Sequence, residues 1–296
     1  MLLEKRPPFA YIFNKIKREL INVSIATVVV YFLTSEFDHL IPEIPLTIPT
    51  FLGTSISVIL SFKLSQSYDR WWEARKIWGG IVNDSRNLVL QLQAFVKQNQ
   101  NAVRIIAQRH IAWCYVLGRQ LRGQEVMEGL DRFLSGDELK SIGCHSNKAL
   151  AVLQLNNAHI SKLREEDEID SYSHVHLNSI IVNLVNQMGM AERIKSTVFP
   201  VTYRLFLHMI IYVFIITLSI ALRQTSGYFE IPILLLITSF FFLLEETATQ
   251  LQDPFSNKPT DTAMTAIATN IEINIRQMTG QGDVPEPHQP NGFYLT

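Results

Sequence analysis

Few residues in this 296-residue sequence have the types and spacings that enzymes use for catalysis. There is no glycine-rich phosphate loop, no His-Glu-x-x-His pair, no nucleophile elbow and no Cys-x-x-Cys. His174 and His176 have a spacing found in some metal sites, but it favours the solvated start of a helix. We therefore expect no enzymatic activity, no catalytic residue, no metal and no cofactor.

Ionisable residues at or inside apolar segments are the next candidates for chemistry. Glu245 and Glu246 follow an apolar run. Such a carboxylate pair is either an interfacial charge cluster or, in an oligomer, a ring that attracts cations. His208 lies inside another apolar run, where a polar group is costly unless it faces protein or water. We interpret His208 as a packing residue.

Two parallel stripes on one apolar segment form the third candidate. The stripe of small residues repeats every four positions and consists of Gly53, Ser57, Ser61 and Ser65. The second stripe, about 100° further around a helix, consists of Thr54, Val58 and Phe62. Small residues let another helix approach closely. If that helix belongs to a second copy, the second stripe faces a shared axis as a narrow apolar constriction, which controls ions by dewetting. The alternative is that Val58 and Phe62 face lipid or core.

The segment that carries both stripes, Ile44–Phe62, has no charged residue. Three tryptophans, four basic residues and two acids follow within 17 positions. An apolar run, an aromatic belt and basic residues in that order are typical of a helix leaving a bilayer on its cytoplasmic side. The sequence therefore predicts an all-α membrane protein in which a spanning helix continues into a soluble domain.

Four apolar segments are predicted to cross the bilayer. They are Leu20–Ser35, Ile44–Phe62, Leu205–Leu222 and Ile231–Leu244. The last has only 14 residues, and we count it because it must return the chain across the bilayer. Basic residues concentrate before the first span, after the second and before the third, whereas the link Glu36–Glu43 has three acids and no Lys or Arg. The positive-inside rule places both termini and the middle of the chain in the cytoplasm.

Domain boundaries follow from these spans. We predict an N-terminal cytosolic helix over 1–19, spans over 20–62, a cytosolic helical domain over 63–204, spans over 205–244, a C-terminal cytosolic helical segment over 245–279 and a flexible tail over 280–296. Within the middle domain, apolar residues recur at helical intervals from Val103 to Leu121 and from Leu177 to Ile194. Ser135 and Glu138 have the spacing of a capping box.

Composition is consistent with this mixed architecture. Only 18% of the residues are charged, against roughly 25% in ordinary soluble domains, and 47% are hydrophobic. The net charge of −1 gives no indication of a nucleic-acid partner. The two cysteines, Cys114 and Cys144, are too few for a disulfide framework and are interpreted as reduced thiols.

The segment Tyr-Asp-Arg-Trp-Trp-Glu-Ala-Arg at 68–75 resembles the signature of the bestrophin family, in particular of its bacterial branch. Its signature residues are Arg70, Trp71, Trp72, Glu73 and Arg75. Weaker landmarks of the same family are Ala191–Ile194, Pro200 and Asp253–Phe255. They occur in the family order, so the resemblance extends from about residue 10 to residue 275.

The resemblance implies a homopentameric ion channel in the bacterial inner membrane, with four spans per subunit and one pore along the fivefold axis. Its partners are then other copies of the chain, the lipid bilayer and small monovalent ions. Counted from the signature, the pore-neck positions of the family are Thr54, Val58 and Phe62. A second, cytosolic constriction falls on Tyr172, with Ile169 as the alternative. Chloride is the ion that the family implies, and cations such as sodium are the alternative.

This sequence departs from the calcium-gated animal members of the family at the segment after the fourth span. Gln252–Asp261 has only two separated carboxylates, Asp253 and Asp261. Because calcium prefers several oxygen ligands of high negative charge, we do not expect activation by calcium. The competing hypothesis for the whole chain is a membrane-tethered helical scaffold or sensor without conductance.

Overall fold

Helices account for almost all regular structure in this protein. A computed structural model describes residues 8–37, 43–197, 200–226, 229–290 and 292–295, and within these ranges no extended strand is formed. The helices are α1 Phe9–Glu36, α2 Thr47–Phe95, α3 Gln100–Arg122, α4 Gly136–Gly143, α5 Lys148–Glu165, α6 Ser171–Ser196, α7 Val201–Ser226, α8 Glu230–Gln252 and α9 Met264–Met278. The prediction of an all-α chain is confirmed.

The helices form two compact units. The apolar unit comprises Lys5–Arg70 and Val198–Asp253, and the polar unit comprises Trp71–Thr197 and Pro254–Thr296. Helix α2 contributes to both. Polar contacts of the apolar unit continue past the apolar runs, such as the hydrogen bond from Arg70 Nε to the carbonyl of Gln252 at 2.9 Å. The domain boundaries at residues 62 and 244, where the predicted spans end, stay predictions.

In the apolar unit, α1, α7 and α8 pack against one another. Three helices among the described residues are long and apolar enough to cross a membrane, within Thr47–Phe95, Thr202–Leu222 and Glu230–Gln252. Only 22–33% of the apolar window of each is buried, so most of these side chains face away from the unit. Such a surface requires lipid or other protein to cover it.

Helix α1 runs without interruption from Phe9 to Glu36, so it includes both part of the predicted N-terminal cytosolic helix and the predicted first span. Its large apolar side chains include Ile25 and Phe32, which are 59% and 62% exposed. Residues 1–7 of the predicted N-terminal helix and 38–42 of the predicted first link lie outside the described residues.

The polar unit has an extensive apolar core that contains the two predicted helical stripes. The residues from Val103 to Leu121 in α3 and from Leu177 to Ile194 in α6 that were expected to face a core are all buried. The predicted capping box opens α4: the Ser135 hydroxyl accepts from the backbone N–H of Glu138, and the Glu138 carboxylate accepts from that of Ser135. Residues 281–290 form no helix, and the flexibility of this tail stays a prediction.

One element of the predicted aromatic belt is wrong. Trp78 is fully buried in the core of the polar unit, whereas Trp72 is 46% exposed. The reason is that α2 continues as one helix to Phe95, so Trp78 packs as a core residue of the polar unit.

Candidate functional site

The stripe formed by Thr54, Val58 and Phe62 lies on an exposed face of α2. Val58 is 49% exposed and Phe62 66% exposed. The Thr54 hydroxyl donates to the carbonyl of Thr50 at 2.9 Å, so its hydrogen bond is satisfied within the helix. The stripe therefore presents one hydroxyl group that is bonded within its own helix and two apolar side chains, each about one helical turn from the next.

Residues on another face of the same helix are buried within the apolar unit. Ile56 and Leu60 are 0% and 2% exposed, and they belong to its core. Packing of Ile56 and Leu60 thus determines the rotation of α2 that exposes the stripe. The spacing in the sequence predicted the stripe but did not show which face of α2 is buried.

The stripe of small residues does not have one uniform environment. A Cβ atom added at Gly53 would lie 3.1 Å from Phe214 Cε2, so this glycine allows α2 and α7 of the same chain to approach closely. Ser57 and Ser61 are exposed, and the Ser57 hydroxyl donates to the carbonyl of Gly53 at 2.8 Å. The expectation that the whole stripe contacts a neighbouring copy therefore does not extend to Gly53, because its neighbour is Phe214.

A buried ion pair lies directly after the stripe. Lys63 Nζ is 2.7 Å from Glu245 Oε1, and the side chains of the two residues are only 1% and 3% exposed. Lys63 also donates to Thr249 Oγ1 at 3.1 Å. An ion pair with this little exposure is costly to break, because either partner alone would leave a buried charge. It joins α2 to α8.

Two further basic side chains lie near the same carboxylate. Arg204 Nε is 3.6 Å from Glu245 Oε1, and His208 Nε2 is 3.4 Å from Glu245 Oε2 without the alignment of a hydrogen bond. The ring of His208 also contacts Phe242 edge to face, with centroids 5.5 Å apart. His208 is thus a packing residue with an ionic neighbour. Glu245 and Glu246 have different partners, since Glu246 accepts from Gln250 Nε2 at 2.8 Å.

Sequence reasoning identified Glu245 and His208 separately but missed Lys63. The available signal was its position, because Lys63 is the first charged residue after 19 uncharged ones and directly follows Phe62. A lysine at the end of an apolar run usually extends to the membrane surface, so its burial against a residue 182 positions away was not expected.

The two candidates for a cytosolic constriction have opposite environments. Tyr172 is 90% exposed, whereas Ile169 is 1% exposed and belongs to the core of the polar unit. Asp170 caps α6 by accepting from the backbone N–H groups of Tyr172 and Ser173, at 2.7 and 2.9 Å. These hydrogen bonds lower the pKa of Asp170 below its usual range, and the one from Ser173 has the largest effect. Tyr172 is therefore held at a fixed helix start, and of the two positions it is the one able to line an aqueous passage.

The signature residues of the resemblance make structural contacts. Within the polar unit, Trp71 Nε1 donates to the carbonyl of Thr260 at 2.9 Å, and Arg193 Nη2 is 2.8 Å from Glu73 Oε1. Trp72 stacks on Trp71 with ring centroids 6.2 Å apart. These contacts tie α2 to α6 and to the segment after α8.

The signature arginines differ in their contacts. Within the apolar unit, Arg70 holds the carbonyl of Gln252, and Arg75 is partly exposed on α2. Among the described residues, no group of three His, Cys, Asp or Glu side chains is placed to hold a metal ion.

Comparisons with family models and with known proteins agree on one family. The model of the bacterial and fungal bestrophin proteins matches residues 10–277. The voltage-dependent anion channel-forming protein YneE of Escherichia coli O157:H7 is 28% identical over 283 residues, which are 96% of this chain and 93% of that protein. A similarly named protein of Mesorhizobium japonicum, mll4386, is 25% identical over 304 residues, with 100% and 97% covered.

The fold agrees with these sequence relationships. The crystal structure of a bacterial bestrophin homologue from Klebsiella pneumoniae superimposes with a TM-score of 0.85 at 27% identity, covering 90% of this chain and 99% of the other. Family model, relatives and structure span nearly the whole length of the chain. The chain therefore belongs to the family of bacterial and fungal bestrophins.

Proposed function

We propose that this chain assembles as a homopentameric channel for small monovalent anions such as chloride. The neck of its pore is formed by Thr54, Val58 and Phe62 from each copy. The observation that carries this proposal is the exposure of the whole stripe on a helix that buries Ile56 and Leu60 on another face. A ring of apolar side chains around a narrow axis controls ion passage because an ion must lose hydration water to pass it.

The surface of the apolar unit supports a membrane location. The three candidate spans leave most of their apolar windows uncovered, and α1 exposes side chains such as Ile25 and Phe32. We propose that α1 is the fourth span and that the chain lies in the bacterial inner membrane with both termini in the cytoplasm. The distribution of Lys and Arg supports this orientation.

Anions are proposed as the permeating ions for two reasons. The relatives YneE and mll4386 are named as anion channel-forming proteins. In addition, the edge of an aromatic ring is electropositive, so a ring of Phe62 side chains favours anions over cations. Cations such as sodium remain the alternative that the experiment below distinguishes.

Tyr172 is proposed as a second narrowing in the polar unit. It is 90% exposed at the capped start of α6, and no other part of the described unit covers it. A ring of tyrosines offers hydroxyl groups that can replace part of the hydration of a passing ion. We therefore expect this position to influence ion preference and the Phe62 position to set the barrier.

Ion replacement in reconstituted liposomes tests the function. We expect flux to stop when chloride is replaced by gluconate and to continue when sodium is replaced by N-methylglucamine. The opposite pattern would show a cation channel. The assembly should have five times the protomer mass of 33.9 kDa. Intact pentamers without flux in either condition would refute the channel and favour a scaffold or sensor.

A further inference from the structure

A cavity of about 340 Å³ lies in the polar unit between α3, α9 and the segment that follows α9. The proposed channel function makes no use of it. Three arginines, Arg119, Arg122 and Arg132, line the cavity. Its volume is within the range of sites that bind small molecules, about 300–1,000 Å³.

Arg122 is the most enclosed of the three arginines. Its Nη1 donates to Thr265 Oγ1 at 2.7 Å and its Nη2 to the carbonyl of Thr262 at 3.5 Å. Its Nε is buried and has no hydrogen-bond partner among the described residues. Burial lowers the pKa of Arg122 below its usual range, and the negative charge of Asp261 opposes that effect. The guanidinium is therefore partly desolvated with one donor unsatisfied, although Arg122 also lines the cavity.

The other two arginines are held in place by uncharged groups. Arg119 Nη1 donates to the carbonyl of Glu128, and Arg132 Nε to the carbonyl of Gly129 at 3.1 Å. The Arg132 guanidinium also lies over the ring of Tyr115, 5.5 Å from its centroid. Within the described part of the chain, neither arginine has a carboxylate within 4.0 Å, and the same is true of Arg122.

Acidic residues in the cavity wall do not neutralise the arginines. Glu272 is 2% exposed and accepts from the Tyr115 hydroxyl at 2.7 Å and from Arg276 Nε at 2.8 Å. Its charge is thus paired with Arg276, which is not one of the three. Glu286 is the other acidic residue of the lining, and it is exposed. The cavity therefore has a surplus of positive charge with free guanidinium donors.

We propose that this cavity binds a small anion that carries phosphate or carboxylate groups. Guanidinium groups bind both kinds of group through paired N–H donors, more strongly than neutral donors do. Arg119, Arg122 and Arg132 all line the cavity and supply these donors. The ring of Tyr115 supplies an apolar surface beside the charges.

Isothermal titration calorimetry with the full-length protein in detergent tests this site, using pyrophosphate and citrate as ligands. We expect saturable binding of at least one of them at 150 mM salt. R119Q and R122Q should each raise its Kd by about tenfold or more, since a lost charge-assisted hydrogen bond weakens binding by that order. Binding of pyrophosphate alone identifies phosphate as the preferred group, and binding of citrate alone identifies carboxylate.

Arg104→Gln is the matched control, because Arg104 lies on α3, is exposed and is not part of the cavity. It should bind like the unmodified chain. If R122Q does not fold, R119Q and R132Q provide the test, because the hydrogen bonds of Arg119 and Arg132 are solvent-exposed. Absence of saturable binding of both ligands, or equal affinity in R119Q, R132Q and the control, overturns the proposal. Calorimetry does not depend on conductance, so its result is independent of the channel test.

Discussion

Phe62 and Lys63 are adjacent in sequence and have opposite environments at the residue scale. The phenylalanine is 66% exposed and the lysine 2% exposed, the reverse of what the two residue types usually show. The environment of each residue is explained by its partner. Lys63 is buried because Glu245 neutralises it at 2.7 Å. In our proposal, Phe62 is exposed within one chain because it meets its counterparts from the other copies around the pore.

Removal of the neck side chains is the first prediction at this scale. In the Phe62→Ala and Val58→Ala variants, we expect faster flux or weaker ion selectivity in liposomes. The physical reason is that a wider constriction retains more water around a passing ion and so lowers the barrier. Flux in the presence of single salts, compared at equal protein density, measures the change.

Phe240→Ala is the control for this experiment. Phe240 lies on α8 and is 60% exposed, close to the value of Phe62, but it is not part of the stripe. Its replacement should leave flux unchanged. If Phe62→Ala and Val58→Ala behave like the control, the neck does not lie at this stripe.

At the scale of elements, α2 contributes to both units of the chain. Its N-terminal part exposes the stripe and buries Ile56 and Leu60, while its C-terminal part places Trp78 in the core of the polar unit. The Lys63–Glu245 pair lies between these parts of the helix. We infer that the pair fixes the rotation of α2 against α8 and thereby the direction in which Phe62 points.

We predict that disruption of the Lys63–Glu245 pair between α2 and α8 destabilises the protein. Lys63→Met or Glu245→Gln should each lower the melting temperature of the detergent-solubilised protein, because loss of one partner of a buried pair costs about 3–5 kcal/mol. The double variant Lys63→Met with Glu245→Leu should be more stable than either single variant, since it leaves neither charge unpaired.

Lys162→Met gives the comparison for an exposed pair. Lys162 and Glu166 are 3.5 Å apart with side chains 66% and 44% exposed, and such pairs contribute only about 0–1 kcal/mol. Its melting temperature should remain near that of the unmodified chain. Equal effects of Lys63→Met and Lys162→Met would contradict a special role for the buried pair.

The sequence predicted those features of the elements that depend on local patterns. The buried faces of α3 and α6 and the capping box of α4 follow from residues within a few turns of each other, so their periodicity is visible in the chain. Partners far apart in sequence leave no such signal. The contact of Lys63 with Glu245 and that of Gly53 with Phe214 depend on how the spans pack, and each residue alone was compatible with several neighbours.

At the scale of the whole molecule, the main observation is uncovered apolar surface. At most 33% of each apolar window is buried within one chain. Lipid covers such a surface on any side, but lipid does not explain small polar residues on it. Ser57 and Ser61 are exposed on α2, and their short polar side chains make few apolar contacts with lipid. Small residues of this kind are typical of helix contacts in membranes. We infer that these serines face a neighbouring copy.

Ser57→Leu tests this inference. A leucine at this position adds bulk where the proposed neighbouring helix approaches, so we expect the pentamer to dissociate into smaller species. Mass measurement of the detergent-solubilised protein detects the change, and circular dichroism should show that helix content is retained. The matched control is Ser239→Leu on α8, where the serine hydroxyl also bonds to its own helix, donating to the carbonyl of Leu236 at 2.7 Å. Because Ser239 is outside the proposed contact, its variant should keep the pentamer. If both variants remain pentameric, the copies meet through a surface other than the Ser57 face of α2, and the axial position of Phe62 loses its main support.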